Sequence, residues 1–218
     1  MNIYLVVEGK AESIIYPNWI AIVNPMLSRI DNPSLVNQNN FYMISDMGYP
    51  KIFSAIDSSI ADITLYRKYN RLIIAVDSED MTRDDKYTEF NDYLLTKTIP
   101  CEVKIIIQHF CIETWALGNR KILGLTSQSE RLRNYRRLFD VRSQDPELLP
   151  SKPNEDMNRA QFAKKYLQLV INDVRKTMTY TPGEPRPVNE KYYFEQIRRR
   201  YEQTNHIKSF NGFLTAFI

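Results

Sequence analysis

Cysteine is almost missing from this chain: Cys101 and Cys111 are the only two in 218 residues. Two thiols cannot build the disulfide framework of a small secreted domain or a zinc ribbon, so a cytoplasmic protein is expected. Long apolar runs are missing too. Nothing approaches the roughly 18 residues that span a bilayer. Glu8 interrupts the short apolar run near the N-terminus and no basic segment precedes it, so neither a signal peptide nor a membrane partner is expected. Histidine occurs twice, and His109 with the cysteines has no recognised zinc spacing. There is no Walker A loop, no dinucleotide-binding glycine fingerprint, no Gly-x-Ser-x-Gly elbow and no internal repeat.

What is there is an ordinary globular composition, 43% hydrophobic and 25% charged, with the charge unevenly placed. Residues 1–119 hold 10 Lys/Arg against 15 Asp/Glu, whereas the remainder holds 19 against 11. Such asymmetry points to nucleic acid, or to a plain solvated basic surface. In the first half, short β-branched and aromatic runs at 3–7, 41–44, 72–76 and 103–107 read as buried strands. Helical spacing over 11–31, 50–68 and 84–97 separates them, with Pro17 starting or kinking the first helix. The order β-α-β-α-β-α-β predicts an α/β domain, residues 1–125, built on a mainly parallel four-stranded sheet flanked by helices. Residues 126–218 read as a mainly helical basic region packed on it. Helices are expected at 112–123, 129–139, 159–178 and 189–203, a proline-containing connector at 144–154, a loop at 180–187 and an apolar end at 210–218.

The strand ends carry the chemistry. The first runs into Glu8-Gly9-Lys10-Ala11-Glu12 and the third into Asp77-Ser78-Glu79-Asp80. Ligands of parallel sheets gather at the carboxyl ends of the strands. Clustered carboxylates there need a cation or a shared proton, and hard oxygen donors suit Mg2+ or Mn2+. Gly9 is expected to let the backbone turn sharply and a phosphate approach. Lys10 would neutralise a phosphate or the leaving oxygen, or simply stand exposed at the start of the helix, and Glu12, one helical turn from Glu8, resembles a trailing acid that ligates directly or through water. The competing structural role is capping of the following helices by the same acids.

Glu8-Gly9 after one apolar strand and Asp77-Ser78-Glu79-Asp80 after another resemble the Toprim fold of topoisomerases and primases, over roughly residues 1–120. The family pairs a Glu with Asp-x-Asp; here Glu79 stands at the second aspartate, and Asp80 is the alternative ligand. Glu113-Thr114-Trp115 resembles the Glu-x-Trp segment of small Toprim-like proteins, similar to OLD-family nucleases and to Toprim effectors of anti-phage systems such as the PARIS type. Trp115 itself reads as helix packing, while Glu113 would support a second metal ion or pair with an arginine.

The resemblance implies a metal-dependent endonuclease acting on DNA or RNA. Glu8 would be general base or ligand, Asp77 and Glu79 or Asp80 would hold Mg2+ or Mn2+, and Lys10 would assist. It also implies an anti-phage setting, with a partner ATPase or other regulatory protein, and it leaves room for homo-oligomers. The alternatives are a nucleotidyl transferase of the same fold and a non-catalytic module binding nucleic acid or protein. Two basic stretches, Arg131, Arg133, Arg136 and Arg137, then Arg198, Arg199 and Arg200 behind Tyr192-Tyr193-Phe194, are the expected nucleic-acid contacts. A solvated helix face is the plainer reading of each.

Overall fold

Ile3–Val7 forms the first strand, β1, and all five of its side chains are buried. An apolar run without a polar face suits a strand covered on both sides. The computed structural model describes residues 1–45, 48–123, 129–151, 157–174, 179–186 and 188–218. Within them the chain folds as two compact units, one of residues 1–76, 83–107 and 211–218, the other of 77–82 and 108–210. The units therefore do not divide near residue 125. Residues 77–82 leave their strand and bond instead to the segment after residue 107, as the site below shows.

The first unit carries the sheet. After the helix α1 (Lys10–Val23) come β2 (Ser28–Ile30), β3 (Asn40–Ile44), α2 (Ile52–Tyr66), β4 (Arg71–Asp77), α3 (Arg83–Leu95) and β5 (Glu102–Gln108). The strand order is β2-β3-β1-β4-β5. β1 pairs in parallel with β3, Ile3 opposite Phe41, and with β4, Val7 opposite Ala75. Five strands stand where four were expected. The extra one, β2, lies in the span read as helix and pairs in parallel with β3. Pro25 explains the difference: the residue before a proline is disfavoured in the α region, and Asn24 leaves it with φ −138° and ψ 88°. Pro17 neither starts nor ends α1 but lies inside it.

α1 buries Ile15, Tyr16, Trp19 and Ile20, and α2 buries Ile52, Ala55, Ile56 and Ile63, both at helical spacing. Phe213 closes edge-to-face on Tyr16 and Trp19, with ring centres 4.8 and 5.7 Å away. Asn24 donates to the Phe217 carbonyl at 2.8 Å.

The second unit is helical: α4 (Ile112–Ala116), α5 (Glu130–Leu138), α6 (Arg159–Val174) and α7 (Lys191–Thr204); α8 (Phe210–Ala216), from residue 211 on, belongs to the first unit. α4 is much shorter than expected. A Cβ at Gly118 would stand 2.7 Å from the Trp115 carbonyl and 2.9 Å from Ile207 Cδ1, so the chain passes there too closely for any other residue. Tyr135 packs on Phe162 and Tyr166 of α6, at 5.0 and 5.5 Å. The Tyr166 hydroxyl donates to the Phe139 carbonyl and that of Tyr193 to Ala116, so these buried phenols are satisfied. Asp46, Pro187, the end of the expected connector (152–154) and the end of the expected helix at 175–178 lie outside the described residues. Among the described residues no helix is long and apolar enough to cross a membrane.

Candidate metal centre

In the first unit Glu8 is the residue next after β1, and its backbone is held on two sides. Its N–H donates to the Ala75 carbonyl and its carbonyl accepts from Gly48 N–H, each at 3.2 Å. Gly9 follows with φ −123° and ψ 171°, extended backbone that any residue adopts. A Cβ there would lie 2.5 Å from Glu12 Oε2, the far end of a flexible side chain, so neither a sharp turn nor close-packed backbone calls for the glycine. Glu12 is 3% exposed in the first turn of α1, where a carboxylate complements the helix dipole. Lys10 is exposed at the start of the same helix.

In the second unit the acidic stretch is knotted to the segment after β5. Ser78 N–H donates to the Gln108 carbonyl and Glu79 N–H to that of Phe110, both at 3.0 Å. Phe110 N–H donates to Ser78 Oγ at 2.9 Å, and Ser78 Oγ meets His109 Nδ1 at 3.1 Å. Glu79 and Phe110 both sit in the left-handed region, φ 51° and 61°, at about 1–3 kcal/mol each for residues other than glycine. The reciprocal hydrogen bonds hold them there. His109 is therefore explained by packing and polar contacts, in keeping with its lack of zinc spacing.

Glu79 and Asp80 both turn to the N-terminus of α6. Asn158 Nδ2 donates to Glu79 Oε2 at 2.7 Å, and Arg159 N–H donates to Asp80 Oδ1 at 2.9 Å. Acid capping is thus present, on a helix far along the chain rather than on α3, which follows directly. Asp77 and Glu113 are different: they are 8% and 1% exposed. Tyr180, itself buried, donates to Glu113 Oε1 at 2.8 Å. Glu113 Oε2 is buried, and the Cys111 thiol is its polar neighbour among the described residues. No arginine pairs with Glu113 among these contacts; the nearby cation is Lys164 of α6.

Lys164 Nζ lies 3.9 Å from Asp77 Oδ2. Burial pushes its pKa down, but Asp77, Cys111, Glu113 and Glu79 outweigh that and hold it above the usual lysine value. The Cys111 thiol is pushed well up, first by burial and then by the charges of Glu113 and Asp77. Lys164 is thus ion-paired with Asp77, and the charges of Glu113 and Glu79 act on it as well.

The donor set fits a hard divalent cation. Asp77 and Glu113 offer it carboxylate oxygens, with the Cys111 thiol beside them. Among the described residues no group of three or more His, Cys, Asp or Glu is drawn together closely enough to hold a metal ion as it stands. In this geometry the Lys164 ammonium pairs with Asp77 instead.

The basic stretches divide. On α5, Arg131, Arg133 and Arg137 are exposed, while Arg136 is half-buried and pairs with Asp140 at 3.4 Å. On α7, Arg199 is exposed. Arg198 is taken up by Glu195 and Glu202 and by the ring of Phe194. Arg200 corrects the expectation. It is 2% exposed and donates to the carbonyls of Val141 (2.7 Å), Gln144 (2.6 Å) and Leu117 (3.3 Å). Burial, then Arg120, lowers its pKa to about 10, so it remains charged inside the fold.

Sequence reasoning missed Lys164, Tyr180 and Asn158. Lys164 had a readable signal: its helical neighbours Ala160, Ala163 and Leu167 are all apolar, and all are fully buried. A lysine on the apolar side of a helix needs a partner. No protein-family model, curated protein or solved structure matches the chain.

Proposed function

We propose that the chain is a Mg2+- or Mn2+-dependent nuclease with a Toprim-like first unit, cleaving DNA or RNA as an effector of bacterial anti-phage defence. The observation that carries the reading is the pair of buried carboxylates, Asp77 and Glu113, with Lys164 3.9 Å from Asp77. Buried carboxylates need a cation, and a phosphodiester needs its developing charge neutralised. The parallel sheet, with a carboxylate next after β1 and another at the end of β4, agrees with the resemblance.

When bound, the divalent ion would activate water and stabilise charge on the phosphoryl oxygens. Asp77 and Glu113 are the residues that would hold it in the second unit, with Tyr180 fixing the Glu113 carboxylate. Glu79 keeps Asn158 and the start of α6 in place, and its charge reaches the same spot; Asp80 serves α6 alone. Glu8, Glu12 and Lys10 are the first unit's candidates for proton transfer and phosphate contact. Arg131, Arg133, Arg137 and Arg199 would give salt-dependent affinity for the nucleic-acid backbone. A partner ATPase and self-association belong to the same proposal.

The test is cleavage of labelled tRNA, single-stranded DNA and duplex DNA with Mn2+, Mg2+ or EDTA, by wild type, Asp77→Asn and Glu8→Ala. Metal-dependent cleavage lost in Asp77→Asn supports the reading, and Glu8→Ala reports whether the first unit takes part in the chemistry. Primer extension from nucleoside triphosphates would replace it with nucleotidyl transfer. No reaction and no thermal stabilisation by either ion would leave an assembly module whose acids serve as caps.

A further inference from the structure

We infer that Tyr49 is a stacking platform for one unpaired base, so that the first unit takes its nucleic acid as a single strand beside Glu8. The inference rests on the nuclease reading above and names the substrate class.

Tyr49 is 58% exposed, yet its ring has three supports. Lys86 Nζ lies over it, 4.5 Å from the ring centre. Phe53 meets it in a T-shaped contact, with ring centres 6.0 Å apart. The Glu89 carboxylate accepts from its hydroxyl, which raises the phenol pKa. The supports are themselves fixed. Lys86 pairs with Glu89 at 2.9 Å and lies 5.2 Å from the centre of the Phe90 ring, on which Phe53 stacks at 5.0 Å. A lysine ordinarily keeps its ammonium in water. Here Lys86 is 7% exposed, and what it holds is a ring that faces solvent.

The position of the ring points to its ligand. Gly48 N–H donates to the Glu8 carbonyl at 3.2 Å, which sets Tyr49 one residue from that contact, beside the end of β1. A Cβ on Gly48 would meet nothing within 4 Å, so the chain before Tyr49 borders open space. Lys10 and Lys51, at the starts of α1 and α2, are exposed and offer charge to a strand's phosphates. A base presents a flat π face, and a ring already immobilised can cover it with little further loss of side-chain freedom. Bases inside a duplex are stacked on their neighbours, so an unpaired base is the one that can use Tyr49.

The test is binding of short fluorescent strands of DNA and RNA, their duplexes and the matching abasic strands to the full chain. Anisotropy is read with Ca2+ in place of Mg2+ or Mn2+, so that binding is measured apart from cleavage. Wild type is expected to bind single strands about tenfold more tightly than Tyr49→Ala or Tyr49→Leu, and more tightly than duplex. Tyr49→Phe, which keeps the ring, should bind like wild type. On abasic strands all four proteins should bind alike, because no base is left to stack. A Tyr49→Leu protein that melts like wild type and binds base-bearing strands equally well would overturn the inference. So would an equal loss on base-bearing and abasic strands, a wild-type preference for duplex, or no binding of any strand. Single-strand binding through Tyr49 with no cleavage under Mg2+ or Mn2+ keeps the platform and sinks the nuclease reading.

Discussion

Replacing Arg200 by Met should cost about 3 kcal/mol, and the loss should be one of folding rather than of nucleic-acid affinity. The guanidinium makes two short charged hydrogen bonds, to the Val141 and Gln144 carbonyls at 2.7 and 2.6 Å. Each bond to a charged group contributes about 1.5–3 kcal/mol. Part of that is offset because Met no longer buries a charge. With a urea m-value near 2 kcal/mol per molar, the midpoint should fall by about 1.5 M. The chain's two tryptophans fall one in each unit, Trp19 in the first and Trp115 in the second. A Trp19→Phe background therefore leaves fluorescence to report on the second unit alone. Arg200→Lys should lose most of the same stability, because a point charge cannot span several carbonyls. Arg199→Met, at an exposed position, should stay within about 0.5 kcal/mol. An Arg200→Met protein that melts like its parent but no longer binds nucleic acid would refute the buried role.

His206 gives a pH dependence of known sign. Burial lowers its pKa, Arg200 and Arg120 act in the same direction, and Asp145 opposes them. Its contribution to stability is therefore complete above the unfolded value near 6.5 and lost as pH falls through the lower folded value. His206→Gln should flatten the fall in urea midpoint between pH 7 and pH 5, and an unchanged slope contradicts the assignment. Gly9→Ala should cost about 1 kcal/mol or less, because only the far end of the Glu12 side chain stands in the way, measured by thermal melting. In a Glu12→Ala background the same change should cost almost nothing, and additive costs would exclude that clash. Tyr180→Phe should cost about 1–3 kcal/mol by stranding Glu113 Oε1. An equal cost in a Glu113→Ala background would show that the hydroxyl does not act through Glu113.

The four apolar strands were legible because burial on both faces leaves an uninterrupted hydrophobic run. β2 was not, because Ser28 and Arg29 are exposed and its strand character comes from pairing with β3. Glu8 and Asp77 could be found as the carboxylates that end strands. Convergence could not be found that way: Glu113 and Lys164 join Asp77 through helices whose packing no local pattern encodes. Arg200 was misplaced because its cluster was counted as charge rather than as a helix face. Tyr193, Phe194, Gln196, Ile197 and Arg200 follow helical spacing, and all five are buried. The capping of α6 by Glu79 and Asp80 is equally out of reach of a local pattern, since acid and helix start lie 79 positions apart.

The contacts of Tyr16 and Trp19 with Phe213, and of Asn24 with Phe217, carry a consequence for the order of events during synthesis. The Asn24 bond joins residues 193 positions apart. At translation rates of about 5–20 residues per second, α1 waits on the order of 10–40 s for the aromatic residues that cover it. Through that interval the nascent chain displays Tyr16 and Trp19 uncovered by Phe213. The growing polypeptide thus carries an uncovered aromatic face on α1 long after α1 itself has been made.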